Sequence, residues 1–151
     1  MRIVIQRVSE ASVSINNGLK SSIRQGLLIL AGFESDDNQE DLEWTIKKII
    51  QLRIFDDQNG VMNLSVKDID GEILAVSQFT LHAKTKKGNR PSYINAATSE
   101  IAIPLYQCFV QILSDNLGKP VQTGEFGAMM MVQLINDGPV TIIIDSKNKD
   151  L

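Results

Sequence analysis

Residues 2–8 and 11–15 alternate apolar and polar side chains, the two-residue period of strands with one buried face. Asn16-Asn17-Gly18 then supplies residues that tolerate positive φ, so residues 19–23 are predicted to return as an antiparallel partner. After Gly26 the run Leu27-Leu28-Ile29-Leu30-Ala31 has no polar interruption, which predicts a buried strand at the centre of a sheet. The period changes next. Asp37 and Glu40 resemble a capping pair, and Leu42, Ile46, Ile49 and Ile50 share one helical face, which predicts a helix over about residues 39–52. The turns Asp56-Asp57-Gln58-Asn59-Gly60 and Asp70-Gly71 leave strands at 64–66 and 72–81. Ile101, Leu105, Phe109, Ile112 and Leu113 place a second helix, ended by Gly118 with Pro120 beyond; Pro104 is tolerable only near its start. Gly138-Pro139 divides the last apolar run into 131–135 and 140–144. A proline there belongs at an edge, a bulge or a tight turn, and a hairpin is the plainest reading. Strands outnumber helices, and residues 1–151 are expected to form a single α+β domain.

Composition narrows the setting. A chain of 151 residues buries roughly 70% of its unfolded surface without help from metal or disulfide. One cysteine, Cys108, cannot form an internal disulfide, and nothing resembles a secretion signal or reaches the roughly 18 apolar residues of a membrane span. A cytoplasmic protein without membrane contact is expected. The net charge of −3 argues against a broad basic surface, so any nucleic-acid contact must be local. The segment from His82 to Tyr93 offers one: Lys84, Lys86, Lys87 and Arg90 occur there without Asp or Glu. Such a cluster is either a solvated loop or a phosphate contact.

Candidate chemistry centres on Ser77-Gln78-Phe79-Thr80. If the strand continues to Leu81, then Gln78, Thr80 and His82 share one face. Thr80 is the candidate nucleophile and His82 the only imidazole, yet adjacent same-face positions lie about 7 Å apart, so direct contact requires a bend. There is no paired-carboxylate signature, zinc spacing, phosphate-binding glycine loop or Gly-x-Ser-x-Gly elbow. No metal or cofactor is expected. Glu40 and Asp41 suit the first turn of a helix. Cys108 reads as an inert core thiol, Phe126 and Met129 to Met131 as packing residues, and Trp44 as a helix-surface or interface residue.

Taken together, Ser77-Gln78-Phe79-Thr80 and Asn136-Asp137-Gly138-Pro139-Val140-Thr141 resemble the D-aminoacyl-tRNA deacylases (D-tyrosyl-tRNA deacylase family). The likeness extends over Ile5-Gln6-Arg7-Val8, Arg53-Ile54-Phe55, Met62-Asn63-Leu64, Arg90-Pro91-Ser92-Tyr93 and Thr123-Gly124 with Phe126. It implies antiparallel and mixed sheets in a barrel-like arrangement with about two main helices. It also implies hydrolysis of D-aminoacyl-tRNA, and of mischarged glycyl-tRNA, assisted by the 2′-hydroxyl of the terminal adenosine. On this reading Ser77, Gln78, Phe79 and Thr80 shape and position the pocket. Gly138 and Pro139 form a cis dipeptide that enters the active site of the partner in a homodimer and excludes L-aminoacyl esters. Lys84, Lys86, Lys87 and Arg90 hold the tRNA, while Arg7, Asn136 and Thr141 play supporting parts. The family does not reliably carry histidine at the His82 position, which argues against an essential base there.

Two other readings remain at this point: a non-catalytic module that binds the tRNA end through the basic loop, and a small-ester hydrolase dependent on Thr80. Overall acidity weighs against the first, and the lack of an evident base against the second.

Overall fold

The N-terminal alternation forms one long strand rather than two in the computed structural model, which describes residues 1–151. Strand β1 (Arg2–Ile15) is followed by β2 (Gly18–Ile23), β3 (Gly26–Gly32), helix α1 (Gln39–Gln51), β4 (Phe55–Asp56), β5 (Met62–Leu64), β6 (Glu72–Ser77), a 3-10 turn over Phe79–His82, α2 (Ser99–Leu117), β7 (Gln122–Thr123) and β8 (Met131–Asp145). One edge of β1 serves two partners: its first half pairs with β3 and its second half with β2, all antiparallel. Strand β3 continues into β6, and β6 into β7, with parallel pairing. The Ser21 hydroxyl donates to the Thr123 carbonyl at 2.6 Å and joins β2 to β7, so the sheet curls into a nearly closed barrel.

Alternation along β3 and β6 sorts two cores. Leu28, Leu74 and Val76 point into the barrel with Val8, Ala11, Val13 and Ile23. Leu27, Ile29, Ile73 and Ala75 point outward beneath the helices, where Leu42, Ile46 and Ile49 of α1 and Phe109 and Leu113 of α2 cover them. Buried on both faces, β3 is central, as its uninterrupted apolar run predicts.

Several local expectations change. The N-cap of α1 is Asn38: its side chain accepts from the amides of Glu40 and Asp41, and Asp41 reciprocates at the Asn38 amide. Asp37 is instead buried against the α-ammonium of Met1. Helix α2 buries Ala102, Tyr106, Phe109, Leu113 and Leu117, a stripe that turns Cys108 toward solvent, so its thiol is not a core group. Pro104 lies in the second turn of that helix. The strand expected at 64–66 lies instead at Met62–Leu64 and goes no further, since Asp68 caps the Ser65 amide and hydroxyl and turns the chain there.

The largest change concerns Gly138-Pro139. It is not a hairpin: β8 runs antiparallel to β1 along its whole length and departs from register around this dipeptide. Gln6 faces Thr141 and Val8 faces Asn136, so the four residues from Asp137 to Val140 bulge out opposite Arg7 alone. No helix is long and apolar enough to cross a membrane.

Candidate active site

Strand β6 stops at Ser77 because the chain turns there. The Gln78 amide donates to the Ala31 carbonyl at 2.7 Å, and Phe79–His82 then wind into the 3-10 turn, with the Leu81 amide reaching the Gln78 carbonyl. The expected continuation of the strand to Leu81 is therefore overturned, and with it the common face of Gln78, Thr80 and His82. A turn sends consecutive side chains in different directions.

Ser77, Gln78 and Phe79 line one side of a cleft of about 610 Å³. Residues ahead of α2, including Tyr93, Ala96, Ala97 and Thr98, line another, and the approach to β8 closes it with Gly127, Ala128, Met129 and Met130. Phe79 is 54% exposed and meets Tyr93 edge to face, with 4.9 Å between ring centroids across the mouth. Behind the cleft, the Tyr106 hydroxyl donates to the Ala75 carbonyl at 2.8 Å. Burial pushes its pKa up to about 12, so it remains a neutral strut.

Thr80 is not part of the cleft lining. Its hydroxyl accepts from the Gln78 side-chain amide at 2.5 Å. His82 is 4% exposed and lies 3.4 Å from Glu34, with its Nε2 buried and unpartnered. No acid–base pair faces the Thr80 oxygen. The first amides of the 3-10 turn have no side-chain cap and no intrahelical acceptor, and the turn begins at Phe79 on the cleft wall.

The Gly138-Pro139 bond is cis, and both residues are exposed. Arg7, almost wholly buried, donates from Nε to the Asp137 carbonyl and from Nη1 to the Ile54 carbonyl, each at 2.7 Å. Asn136 spans the bulge: its Oδ1 accepts from the Val140 amide at 2.9 Å, and its Nδ2 donates to the Val140 carbonyl at 3.2 Å. The Thr141 hydroxyl accepts from Gln6 at 3.2 Å. None of these groups lines the cleft of the same chain.

The basic loop is closed at its base by paired backbone bonds between Lys84 and Ser92 and turns at Gly88, whose φ is +69°. Lys84, Lys86, Lys87 and Arg90 are all exposed, and none belongs to an ion pair. Strand β8 carries an apolar outer row: Met131 (77% exposed), Ile135 and Ile143, with Met129 (91%) just before it. Apart from the half-buried Met130, these methionines are not packing residues as expected. Phe126 does pack, against Tyr106 at 5.8 Å.

Sequence reasoning missed the cleft wall ahead of α2. Its signal was the run Ala96-Ala97-Thr98-Ser99, small side chains without apolar period that leave room for a ligand.

Residues 4–145 match the family model described as D-Tyr-tRNA(Tyr) deacylase. The chain is 69% identical over 150 residues to the D-aminoacyl-tRNA deacylase of Flavobacterium psychrophilum, covering 99% of this chain and 100% of that one. It is 63% identical to the D-aminoacyl-tRNA deacylase of Bacteroides fragilis at the same coverage. Among solved structures it is similar to the c-Myc DNA Unwinding Element Binding Protein, with TM-score 0.92 and 40% identity over 96% of this chain and 98% of the other. A probable eukaryotic D-amino acid tRNA deacylase shares the fold at TM-score 0.82 and 18% identity, over 95% and 97% of the two chains. The barrel, the cleft at Ser77-Gln78-Phe79 and this end-to-end similarity agree: the chain belongs to the D-Tyr-tRNA(Tyr) deacylase family, enzymes that hydrolyse ester bonds.

Proposed function

We propose that this enzyme hydrolyses the ester of D-aminoacyl-tRNA in the cytoplasm, releasing the D-amino acid and tRNA, and so proofreads the chirality of charged tRNA. The observation that carries the reading is a ligand-sized cleft bordered by Ser77, Gln78 and Phe79 with no acid–base pair on Thr80. Such a site accelerates ester cleavage by holding the ester and a water and by offering backbone donors to the developing oxyanion. The 2′-hydroxyl beside the ester supplies the assistance that no side chain provides.

The active form is a homodimer. The apolar outer row of β8 supports this, because Met131, Ile135 and Ile143 otherwise leave a hydrophobic strip in water. In the dimer, Gly138-Pro139 of one copy enters the cleft of the other. A rigid backbone pair there collides with the side chain of an L-aminoacyl group and leaves D-aminoacyl and glycyl groups room. Mischarged glycyl-tRNA is accordingly a second substrate. Lys84, Lys86, Lys87 and Arg90, beside the cleft and free of partners, contact the tRNA phosphates.

Release of amino acid from D-tyrosyl-tRNA and L-tyrosyl-tRNA, followed with a chelator present, tests the reading. Loss of the D-ester alone is expected. Loss of both would remove the chirality filter, and loss of neither, with folded dimeric protein, would leave only a tRNA-binding role.

A further inference from the structure

The two lips of the cleft come from segments some distance apart in sequence, and a buried histidine set against a partly exposed glutamate lies between them. One lip is the 3-10 turn that begins at Phe79 and ends at His82. The other is the Tyr93–Thr98 stretch, held at Ala96 by an isolated antiparallel bridge to Glu34 and at Ala97 by its amide bond to the Phe33 carbonyl. Glu34 thus holds the second lip with its backbone. Its side chain turns to the first, with Oε1 at 3.4 Å from His82 Nδ1. The imidazole is 4% exposed and takes no part in the cleft lining, so it neither touches substrate nor serves as a base.

Gly32 makes this packing possible. A Cβ there would lie 2.8 Å from the Gln78 carbonyl oxygen and 3.1 Å from His82 Cδ2, so only glycine lets the turn and the ring sit directly on the end of β3. Glu34 is itself fixed, since its amide donates to Asp37 Oδ2 at 2.8 Å. On the far side of the turn, Arg2 Nη1 donates to the Leu81 carbonyl at 2.9 Å. Gly32, Glu34 and Leu81 are thus each held in place beside His82, and the Phe79–Tyr93 contact at the mouth repeats the link on the exposed side.

We propose that the His82–Glu34 contact is a clasp that sets the spacing of the two cleft lips, making both positioning residues for ester hydrolysis. Only its kinetic consequence rests on the deacylase reading; the mechanical link does not. Misplacing reacting groups by a fraction of an ångström slows the chemical step more than it weakens binding.

His82→Ala and Glu34→Ala should each lower kcat on D-tyrosyl-tRNA about tenfold while KM changes less than about twofold. Asparagine places an amide N–H near the position of Nδ1, and glutamine keeps an acceptor, so His82→Asn and Glu34→Gln should restore most of the rate. The double alanine variant should be no slower than the slower single one. Amide hydrogen exchange gives a readout independent of activity: in either alanine variant, peptides covering 78–84 and 92–98 should lose protection together. Glu34→Ala removes the partly exposed member, so the test survives a His82 variant that does not fold. Exchange confined to the mutated segment, or additive kcat losses, would overturn the clasp. A wild-type protein inert toward D-tyrosyl-tRNA would defeat the functional reading, and the exchange data alone would then decide.

Discussion

Arg7 Nε lies 2.7 Å from the carbonyl oxygen of Asp137, the residue before Gly138-Pro139. The same guanidinium reaches the Ile54 carbonyl with Nη1 at an equal distance, so one planar group fixes the bulge of β8 against the start of the β4–β5 hairpin. A lysine has the charge but not the fork. Arg7→Lys should therefore leave the protein folded while the ratio of D- to L-tyrosyl-tRNA hydrolysis falls about tenfold or more, as expected for loss of about 1.4 kcal/mol of positioning energy. Initial rates on the two esters measure this.

The dipeptide itself is more demanding. A Cβ on Gly138 would collide with the Val140 amide nitrogen, so Gly138→Ala must shift the backbone of the bulge. Its expected result is at least tenfold faster hydrolysis of the L-ester, together with a loss of stability of about 1–3 kcal/mol. Pro139→Ala should relax chirality with less destabilisation. If discrimination in both variants equals that of the wild type, the filter lies elsewhere.

Thr80 offers a contrasting case. Its hydroxyl accepts from Gln78 and faces no base, so Thr80→Val should remove a positioning hydrogen bond and retain hydrolysis within about tenfold to a hundredfold. Single-turnover kinetics should show no burst and no covalent intermediate. A drop of about 10⁴ or more, with a trapped aminoacyl-enzyme, would restore the nucleophile reading.

Lys86, Lys87 and Arg90 are exposed and unpaired, so replacing them with glutamine should leave stability unchanged. KM for D-aminoacyl-tRNA should rise, and the dependence of log kcat/KM on log salt should flatten by roughly 0.7–0.9 for each phosphate that no longer meets a cation. An unchanged salt slope would mark the loop as mere surface.

Asp145 connects the fold to pH. Burial acts to raise its carboxyl, but hydrogen bonds from Arg2 and from the amides of Lys147 and Asn148, with the Arg2 charge, hold it below the usual carboxylate range. A pKa depressed in the folded state means that these interactions stabilise the fold above the unfolded value of about 4. That contribution disappears as pH falls through the folded value. Asp145→Asn should cost about 2 kcal/mol at pH 7, because Arg2 is only partly screened by solvent, and the gap from wild type should close below about pH 4. Urea titrations across that range would show it.

The sequence made the fold legible wherever local periodicity and burial coincide. The unbroken run of β3 and the face of α1 were visible because each burial pattern repeats within a few residues. Long-range geometry was not visible. Strand β6 ends at Ser77 because the chain winds there into a turn that packs on the end of β3 at Gly32, more than 40 residues away in sequence; the Gln78 amide bond to Ala31 is the last rung of the β3–β6 ladder, and the alternation from Ile73 onward carries no mark of the turn. The capping role likewise fell to Asn38 rather than Asp37 because the distant Met1 ammonium claims the latter. For the site, the residues at 77–79 were legible as a motif, whereas the wall at Ala96 and Ala97 is made of side chains too small to announce themselves.

The irregularity of the β1–β8 ladder restricts how the chain can change length. Arg2 stands opposite Asp145 and Glu10 opposite Ile135, so eight steps along β1 match ten along β8. The extra residues around Pro139 and the smaller counter-shift between Val8 and Glu10 thus leave an even difference, and both halves of β8 keep the same face outward. Deleting one residue at either irregularity makes the difference odd and turns half of the ladder inside out. Insertions and deletions there are tolerable only in pairs, which ties the length of the 137–140 protrusion to Ser9 on the neighbouring strand.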